Sequence, residues 1–437
     1  MTRLFGEGVT AAVRRDPVLW AVTLLVALVH LGFAGRYDVF RNELYFIICG
    51  RHPAFGYVDQ PPLIPLLAAA TQLFGESVWL LRLPAALAAV ALVPLTAAMA
   101  RALGGTRTAA WIAGLAAGLS PMLAALTTVL TTASLEPLAW TGLTYCVLRA
   151  VQGGDRRFLY GAGLVAGLAM AAKYGAAIWI IVLGIGLIAT PARRLFRQPG
   201  LWGAGLLAVA IGAPSLVWQA LNGWPFFDVI RPAVGGTNFT GSPVHFMIGQ
   251  AFEQNILLAP LWLAGIAAPF WLPRLKSARF VAIAYVVAAA IVIGAHGKNY
   301  YLAGAYPSLF AVGAVAAEPI ARMLRLGWMA MACALTVPLA PVVFPILDPP
   351  VLARYLAATH LAPPPEEAAA VGAPLTQLFS DQLGWRTLEQ QVAAVYRALP
   401  EDERAHTALV AADYGEAAAL DFYGMADGLP PALSGQN

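Results

Sequence analysis

Eight polar residues crowd one stretch of an otherwise apolar chain. Between Gly35 and Leu67 the sequence GRYDVFRNELYFIICGRHPAFGYVDQPPLIPLL holds Asp38, Arg41, Asn42, Glu43, Arg51, His52, Asp59 and Gln60. Moving a group onto a hydroxyl or a similar nucleophile needs a carboxylate within hydrogen-bond reach of the attacking atom. Glu43 and Asp59 are the candidates for that work. Each also has a plain structural reading: Glu43 as the ion-pair partner of Arg41 or Arg51, and Asp59 as the cap of a helix that begins at Pro61-Pro62. Asp38 and His52 carry less weight. His52 has no second histidine or carboxylate at ligand spacing, so no metal site is read there.

Cations form the other half of the pattern. Lys173 sits between the apolar runs AGLAMAA and GAAIWIIV, where an ammonium must snorkel, pair, or meet an anion. Lys298 lies beside His296 in the short polar segment HGKNYY. Two cations from distant parts of the chain, at one membrane level, suit an anionic headgroup such as a lipid phosphate. Equally, Lys298 can be an interfacial anchor and Tyr300 and Tyr301 part of an aromatic belt. Trp224-Pro225 could stack on a sugar or simply pack a turn. Glu136 falls in the first turn of its helix, where the dipole already favours a carboxylate.

The elements that must hold these groups are membrane spans. The 437 residues are 59% hydrophobic and only 11% charged, with mean hydropathy +0.69. That composition lies outside the soluble globular range and implies a polytopic helical membrane protein. Apolar runs near 17–34, 80–100, 108–126, 134–149, 158–172, 174–191, 201–219, 255–272, 280–295, 300–317 and 326–345 predict eleven spans. The segment 62–74 reads as an interfacial or re-entrant helix. The first run is long enough to span, so no cleavable signal is read.

Charge tests the layout. With the N-terminus inside, sixteen Arg and Lys, among them Arg3, Arg14, Arg15, Arg107 and Arg274, fall on the cytoplasmic side. Seven fall opposite: Arg36, Arg41, Arg51, Arg82, Lys173, Arg231 and Lys298. That asymmetry obeys the positive-inside rule and sends the tail outside. The tail after residue 350 has four Arg and no Lys against eleven Asp and Glu, so the basic balance belongs to the membrane part and not to a nucleic-acid surface. It opens with Pro363, Pro364 and Pro365, then shows amphipathic helical spacing over 376–398 and a strand-capable stretch over 406–423. A second long outer segment, 220–250, carries Thr237, Asn238, Ser242 and His245. Cys49, Cys146 and Cys333 suggest neither a metal motif nor a disulfide.

Physics alone leaves three classes open: a membrane transferase using a lipid-phosphate-linked donor, a transporter, and a flippase-like or structural protein. A transporter wants polar groups at mid-span in broken helices. Here the charges collect at one face, which favours the transferase.

The residues FRNELYFIICGRHPAFGYVDQPPL at 40–63 resemble glycosyltransferase family 39, the bacterial branch related to protein O-mannosyltransferases and to the aminoarabinose transferase of lipid A. Supporting stretches are Ala172-Lys173-Tyr174, Pro214–Trp218 followed by Asn222-Gly223-Trp224-Pro225, Gly297–Tyr301 with Tyr306-Pro307, and Asp413–Glu416 with Tyr423-Gly424. The resemblance runs over about 17–437. It implies an all-α polytopic membrane protein of GT-C type in the bacterial inner membrane: about eleven transmembrane helices over 1–348, interfacial helices in the first outer loop at 35–79, and a small soluble α/β or α+β periplasmic appendage over 349–437. It further implies inverting transfer of a sugar from a polyprenyl-phosphate donor to a lipid, glycan or protein acceptor, or, without transfer, binding or transport of a lipid-linked sugar. The family's acidic pair maps onto Asn42-Glu43. Asn42 stands where aspartate is usual, and an amide cannot be a base. Glu43 or Asp59 would then act as base with Asn42 as a hydrogen-bond partner. Lys173, Lys298, Tyr300, Tyr301 and His296 would face the donor phosphate, and His52, Gln60 and Trp224 the acceptor or sugar. Some relatives bind a divalent metal; these residues assign none. The chain ends at Ser434–Asn437, short of the further tail many relatives carry, and a trimmed or truncated appendage is expected.

Overall fold

The computed structural model describes residues 16–232, 242–363 and 372–435. Arg3, Arg14, Arg15, Thr237, Asn238, Pro364 and Pro365 lie outside the described residues. The described chain is mostly helical. Val78–Ala102, Pro199–Leu221, Pro273–Gly294 and Arg322–Val343 are each long and apolar enough to cross a membrane. Three bent pairs raise the number to seven if each pair is one span.

Helix Pro17–Phe33 shows how the two ends of the bundle are tied. Asp16 caps it, accepting from the backbone N–H groups of Val18 and Leu19. The same carboxylate takes Arg107 Nε and Trp111 Nε1, each at 2.7 Å. At the far end of the helix, Ala34 O accepts from Arg82 Nη1 at 2.8 Å. Arg107 and Arg82, on opposite sides by charge counting, thus lie at opposite ends of one helix. Glu318 joins the Arg107 end, where it pairs with Arg274 and accepts from Thr106 N.

Inside the bundle several threonines satisfy their hydroxyls locally. Thr96, Thr141, Thr144 and Thr190 each donate to the carbonyl four residues back, which spares them a partner in an apolar interior. Trp140 and Trp179 stack at 4.8 Å in the core. A sharp break lies between Pro243–Glu253 and Ile256–Phe270, bent by 98°. Asn255 makes it: the residue has φ +72°, caps Leu257 N, and donates to Ala332 O and Thr336 Oγ1. Asparagine tolerates the left-handed region, and here its side chain also supplies the bonds the bend removes.

The segment 35–79 holds two helices, Arg41–Arg51 and Leu63–Gln72, the second inside the expected 62–74. The C-terminal segment packs on them. It comprises helices Pro349–Thr359, Gln377–Ser380, Trp385–Ala398, Glu401–Arg404 and Tyr414–Tyr423, and two short parallel strands, β1 (Leu409–Ala411) and β2 (Ala432–Ser434). The 406–423 stretch is strand only over β1. Asp413 then caps a helix, its Oδ1 accepting from Gly415 N and Glu416 N ahead of an alanine run, and helix propensity wins.

Candidate functional site

Glu43 is fully buried, and so is nearly all of Arg82. Arg82 Nη2 stands 2.9 Å from Glu43 Oε2, and Nε lies within 3.2 Å of both carboxylate oxygens. Phe40 N and Leu130 N complete the shell, each at 2.8 Å. The rest of the guanidinium goes to Ala34 O and Asp38 O. Neither expected partner, Arg41 or Arg51, holds Glu43: Arg41 pairs with Asp381 and Arg51 with Glu76. A carboxylate with both oxygens filled and no solvent contact is built to anchor the loop, and a proton acceptor needs an open lone pair.

Asp59 is placed differently. It is half-buried in the turn between the two loop helices and accepts from Tyr45 Oη at 2.8 Å. Burial pushes its carboxyl above the ordinary range, against the opposing pull of the Tyr45 bond. Gln60 beside it is buried, donates to Cys49 Sγ, and has no partner for Oε1 among the described residues. His52 is exposed at the end of helix Arg41–Arg51. Asn42 Oδ1 accepts from Tyr414 Oη at 2.6 Å.

The turn holding Asp59 is fastened to the Pro199–Leu221 helix. Gln219 Nε2 donates to Tyr57 O at 2.7 Å, and Gly56 lies so close under Trp218 that a Cβ there would come within 3.0 Å of the ring. Gln219 Oε1 also accepts from Phe226 N. Phe226 packs edge-on to Tyr174 at 4.7 Å, and Tyr174 bonds Ser215. Trp224, with φ +60°, follows Gly223 through two successive left-handed residues and is fixed by its N–H to Gln219 O at 2.8 Å. An aromatic residue there is strained and is held by this anchor.

Lys173 follows from Tyr174. Its Nζ lies 2.8 Å from Glu136 Oε2, and both side chains are largely buried. Tyr300 and Tyr301, perpendicular to one another, present their rings 5.2 and 5.1 Å from the same nitrogen. Lys298 begins the short helix Asn299–Ala305 that carries those tyrosines, and His296 (φ +52°) forms the turn before it. Asn299 donates to Glu253 at 2.5 Å and its carbonyl accepts from Gln250.

Residues 59–218 match the family model described as dolichyl-phosphate-mannose-protein mannosyltransferase. No curated protein sequence matches the chain significantly. Among solved structures it is similar to ArnT from Cupriavidus metallidurans, bound to undecaprenyl phosphate, with TM-score 0.60 and 16% identity over 95% of this chain and 85% of that one. The apo form of the same protein gives TM-score 0.63 and 17% identity, over 95% and 84%. The chain shares its fold with ArnT. It is also similar to the oligosaccharyltransferase of Archaeoglobus fulgidus in the apo form, at TM-score 0.51 and 12% identity, over 88% of this chain and 59% of that one.

On this scaffold Lys173 meets Tyr300 and Tyr301, while Glu43 belongs to another cluster. The partners of Glu43 (Arg82, Phe40, Leu130) and those of Lys173 (Glu136, Tyr300, Tyr301) share no member. Ala172, before Lys173, and Leu135, before Glu136, pack in the same apolar cluster as Leu44, Ile47 and Ile64, which sets the lysine pair alongside the loop helices. Among the described residues no three His, Cys, Asp or Glu side chains gather as a metal set. The polar pattern of the sequence does not single out Arg82, Gln219, Tyr45 or Tyr414, and Glu136 reads there as a dipole-stabilised helix start. The one signal available was charge arithmetic: a lone carboxylate and a lone ammonium, each flanked by apolar chain, had to find partners.

Proposed function

We propose that this protein transfers a sugar from a polyprenyl-phosphate-linked donor to a lipid, glycan or protein acceptor at the extracytoplasmic face of the membrane. The reading includes eleven crossings with the N-terminus cytoplasmic, the appendage over 349–437 outside, and residence in the bacterial inner membrane. One observation carries it: the Lys173 ammonium is held by Glu136 and lies about equally near the rings of Tyr300 and Tyr301, 5.2 and 5.1 Å away, beside the loop that presents Asp59. The GT-C fold supports it.

In this reading the donor phosphate takes the free donors of Lys173, with Lys298 and His296 on the same turn as the tyrosines. Asp59 removes the acceptor proton as the new bond to the anomeric carbon forms from the opposite face. The bond from that carbon to the phosphate oxygen breaks, and the growing negative charge on polyprenyl phosphate is met by Lys173. Glu43 orients the loop through Arg82. Gln60, His52 and Trp224 line the acceptor side, and Asn42 serves as a hydrogen-bond acceptor. ArnT bound to undecaprenyl phosphate supports a polyprenyl-phosphate donor.

A second reading, binding of a lipid-linked sugar without transfer, is favoured by Asn42 in the family's aspartate position and by the sealed state of Glu43. Purified protein in lipid nanodiscs, given labelled polyprenyl-phosphate sugars and candidate acceptors, separates the two. Transfer releases polyprenyl phosphate in step with glycosylated product. Donor binding with no release, across donors and acceptors, removes the transferase. Mass spectrometry of glycolipids and glycoproteins from cells with and without the gene identifies the acceptor.

A further inference from the structure

The C-terminal segment reaches the first outer loop at one tightly fitted point. The ring of Tyr414 lies 5.2 Å from that of Tyr45, and its hydroxyl donates to Asn42 Oδ1 at 2.6 Å. The Arg41 guanidinium also lies over the Tyr414 ring, 5.5 Å from its centroid. The next residue is Gly415, where a Cβ would stand 2.2 Å from Arg41 Cγ. Only glycine allows that approach, so the N-terminus of helix Tyr414–Tyr423 is pressed onto helix Arg41–Arg51. Tyr423 and Arg386 add contacts to Asp38 at the same interface.

The inner side of this contact leads to Asp59. Tyr45, wedged between Tyr414 and Phe46, donates to Asp59 Oδ1 at 2.8 Å. A tyrosine hydroxyl reaches a carboxylate only from a narrow range of ring orientations, and an exposed ring free to turn would spend part of its time elsewhere. We infer that Tyr414 is a positioning residue for Asp59: it holds the Tyr45 ring where its hydroxyl bonds the carboxylate, which makes the C-terminal segment part of the reacting site. This rests on the assignment of Asp59 as the proton acceptor.

The titratable groups against Asp59 are Tyr45 and Cys49, both from helix Arg41–Arg51 and both neutral at working pH. From the C-terminal segment, Tyr414 stands behind Tyr45 with Arg41 upon it. The Tyr45 bond favours the ionised carboxylate and burial disfavours it. Releasing Tyr45 therefore moves ionisation of Asp59 to higher pH.

The test uses the full-length protein in nanodiscs with three variants: Tyr414→Ala, Tyr414→Phe, which keeps the ring and loses the bond to Asn42, and Gly415→Val, which blocks the approach. The pH at half-maximal transfer is expected to rise by about one unit in Tyr414→Ala and Gly415→Val and by less in Tyr414→Phe, with donor KM unchanged. A merely structural role would lower kcat at every pH and leave the midpoint still. Hydrogen–deuterium exchange of 54–60 gives an activity-independent readout: faster exchange is expected in Tyr414→Ala. If wild type transfers sugar and both midpoint and exchange stay at wild-type values in the variants, the inference is overturned. Should wild type transfer nothing, the functional reading fails, and unchanged exchange in Tyr414→Ala would still overturn the coupling by itself.

Discussion

Arg82 and Glu43 form a sealed ion pair, 2.9 Å apart, joining helix Arg41–Arg51 to the helix that begins at Val78. Both ions have given up water, and four further hydrogen bonds, all to backbone groups, compensate them. Such a pair is conditional: intact it is close to neutral in stability, and halved it strands a buried charge.

Glu43→Gln is therefore expected to destabilise the protein by about 3–5 kcal/mol, read as an early thermal transition in detergent. Glu43→Gln combined with Arg82→Met removes the stranded guanidinium and should recover part of that loss, giving a clear coupling in a double-mutant cycle. Additive losses would mean that the two side chains do not depend on each other. Reduced transfer in Glu43→Gln alone is then no proof of a catalytic base.

Asp59 should behave in the opposite way. Burial raises its carboxyl above the unfolded value, so the native state holds a proton longer, and the group costs stability as pH rises through that interval. Asp59→Asn is expected to lower transfer by about 10²–10⁴-fold while the thermal transition stays level or rises at neutral pH. In wild type, transfer should fall off on the acid side at a pH above the ordinary carboxylate range, because only the ionised form accepts a proton. A flat acid limb, or an active Asp59→Asn, removes Asp59 from the chemistry.

Lys173 is expected to matter for the donor before it matters for the bond. Lys173→Met keeps the aliphatic bulk between Tyr300 and Tyr301 and deletes the charge. Donor affinity should weaken roughly tenfold to a hundredfold, the range for a hydrogen bond to a charged group. Arginine should not rescue it fully, since a planar guanidinium with donors in a fixed fork is no substitute for a compact ammonium with three rotatable donors. Donor binding equal to wild type in Lys173→Met would send the phosphate elsewhere.

Much of this arrangement was readable in the chain before any coordinates. The polar stretch at 35–67 and the apolar helix that became Leu63–Gln72 follow from hydropathy, and the cost of a charge near lipid says that Lys173 needs partners, though only the resemblance groups it with Tyr300 and Tyr301. What stayed hidden was pairing. A nearby arginine looked the natural partner for Glu43, and the structure uses Arg82, 39 residues away, because the return helix starts beside the loop. Glu136 looked self-sufficient in its first turn, yet a lysine two helices on required it. Strand propensity over 406–423 lost to a single aspartate cap. Local pattern reports which groups need partners, and topology decides which ones they get.

Asn42 poses the remaining question, since relatives of the resembled family place aspartate there. Its amide oxygen only accepts, from Tyr414 Oη, and a carboxylate oxygen would accept the same bond. The neighbouring charge is already balanced, with Glu43 matched by Arg82, and Arg41 lies over Tyr414 on the other side. Asn42→Asp should therefore fold normally, with stability changed by no more than about 1 kcal/mol. If Asp59 accepts the proton, Asn42→Asp should leave transfer near the wild-type rate, because the substitution adds a carboxylate already occupied by a hydroxyl. A rise of tenfold or more would show instead that position 42 faces the acceptor, and that this chain works at a reduced rate for want of its acid.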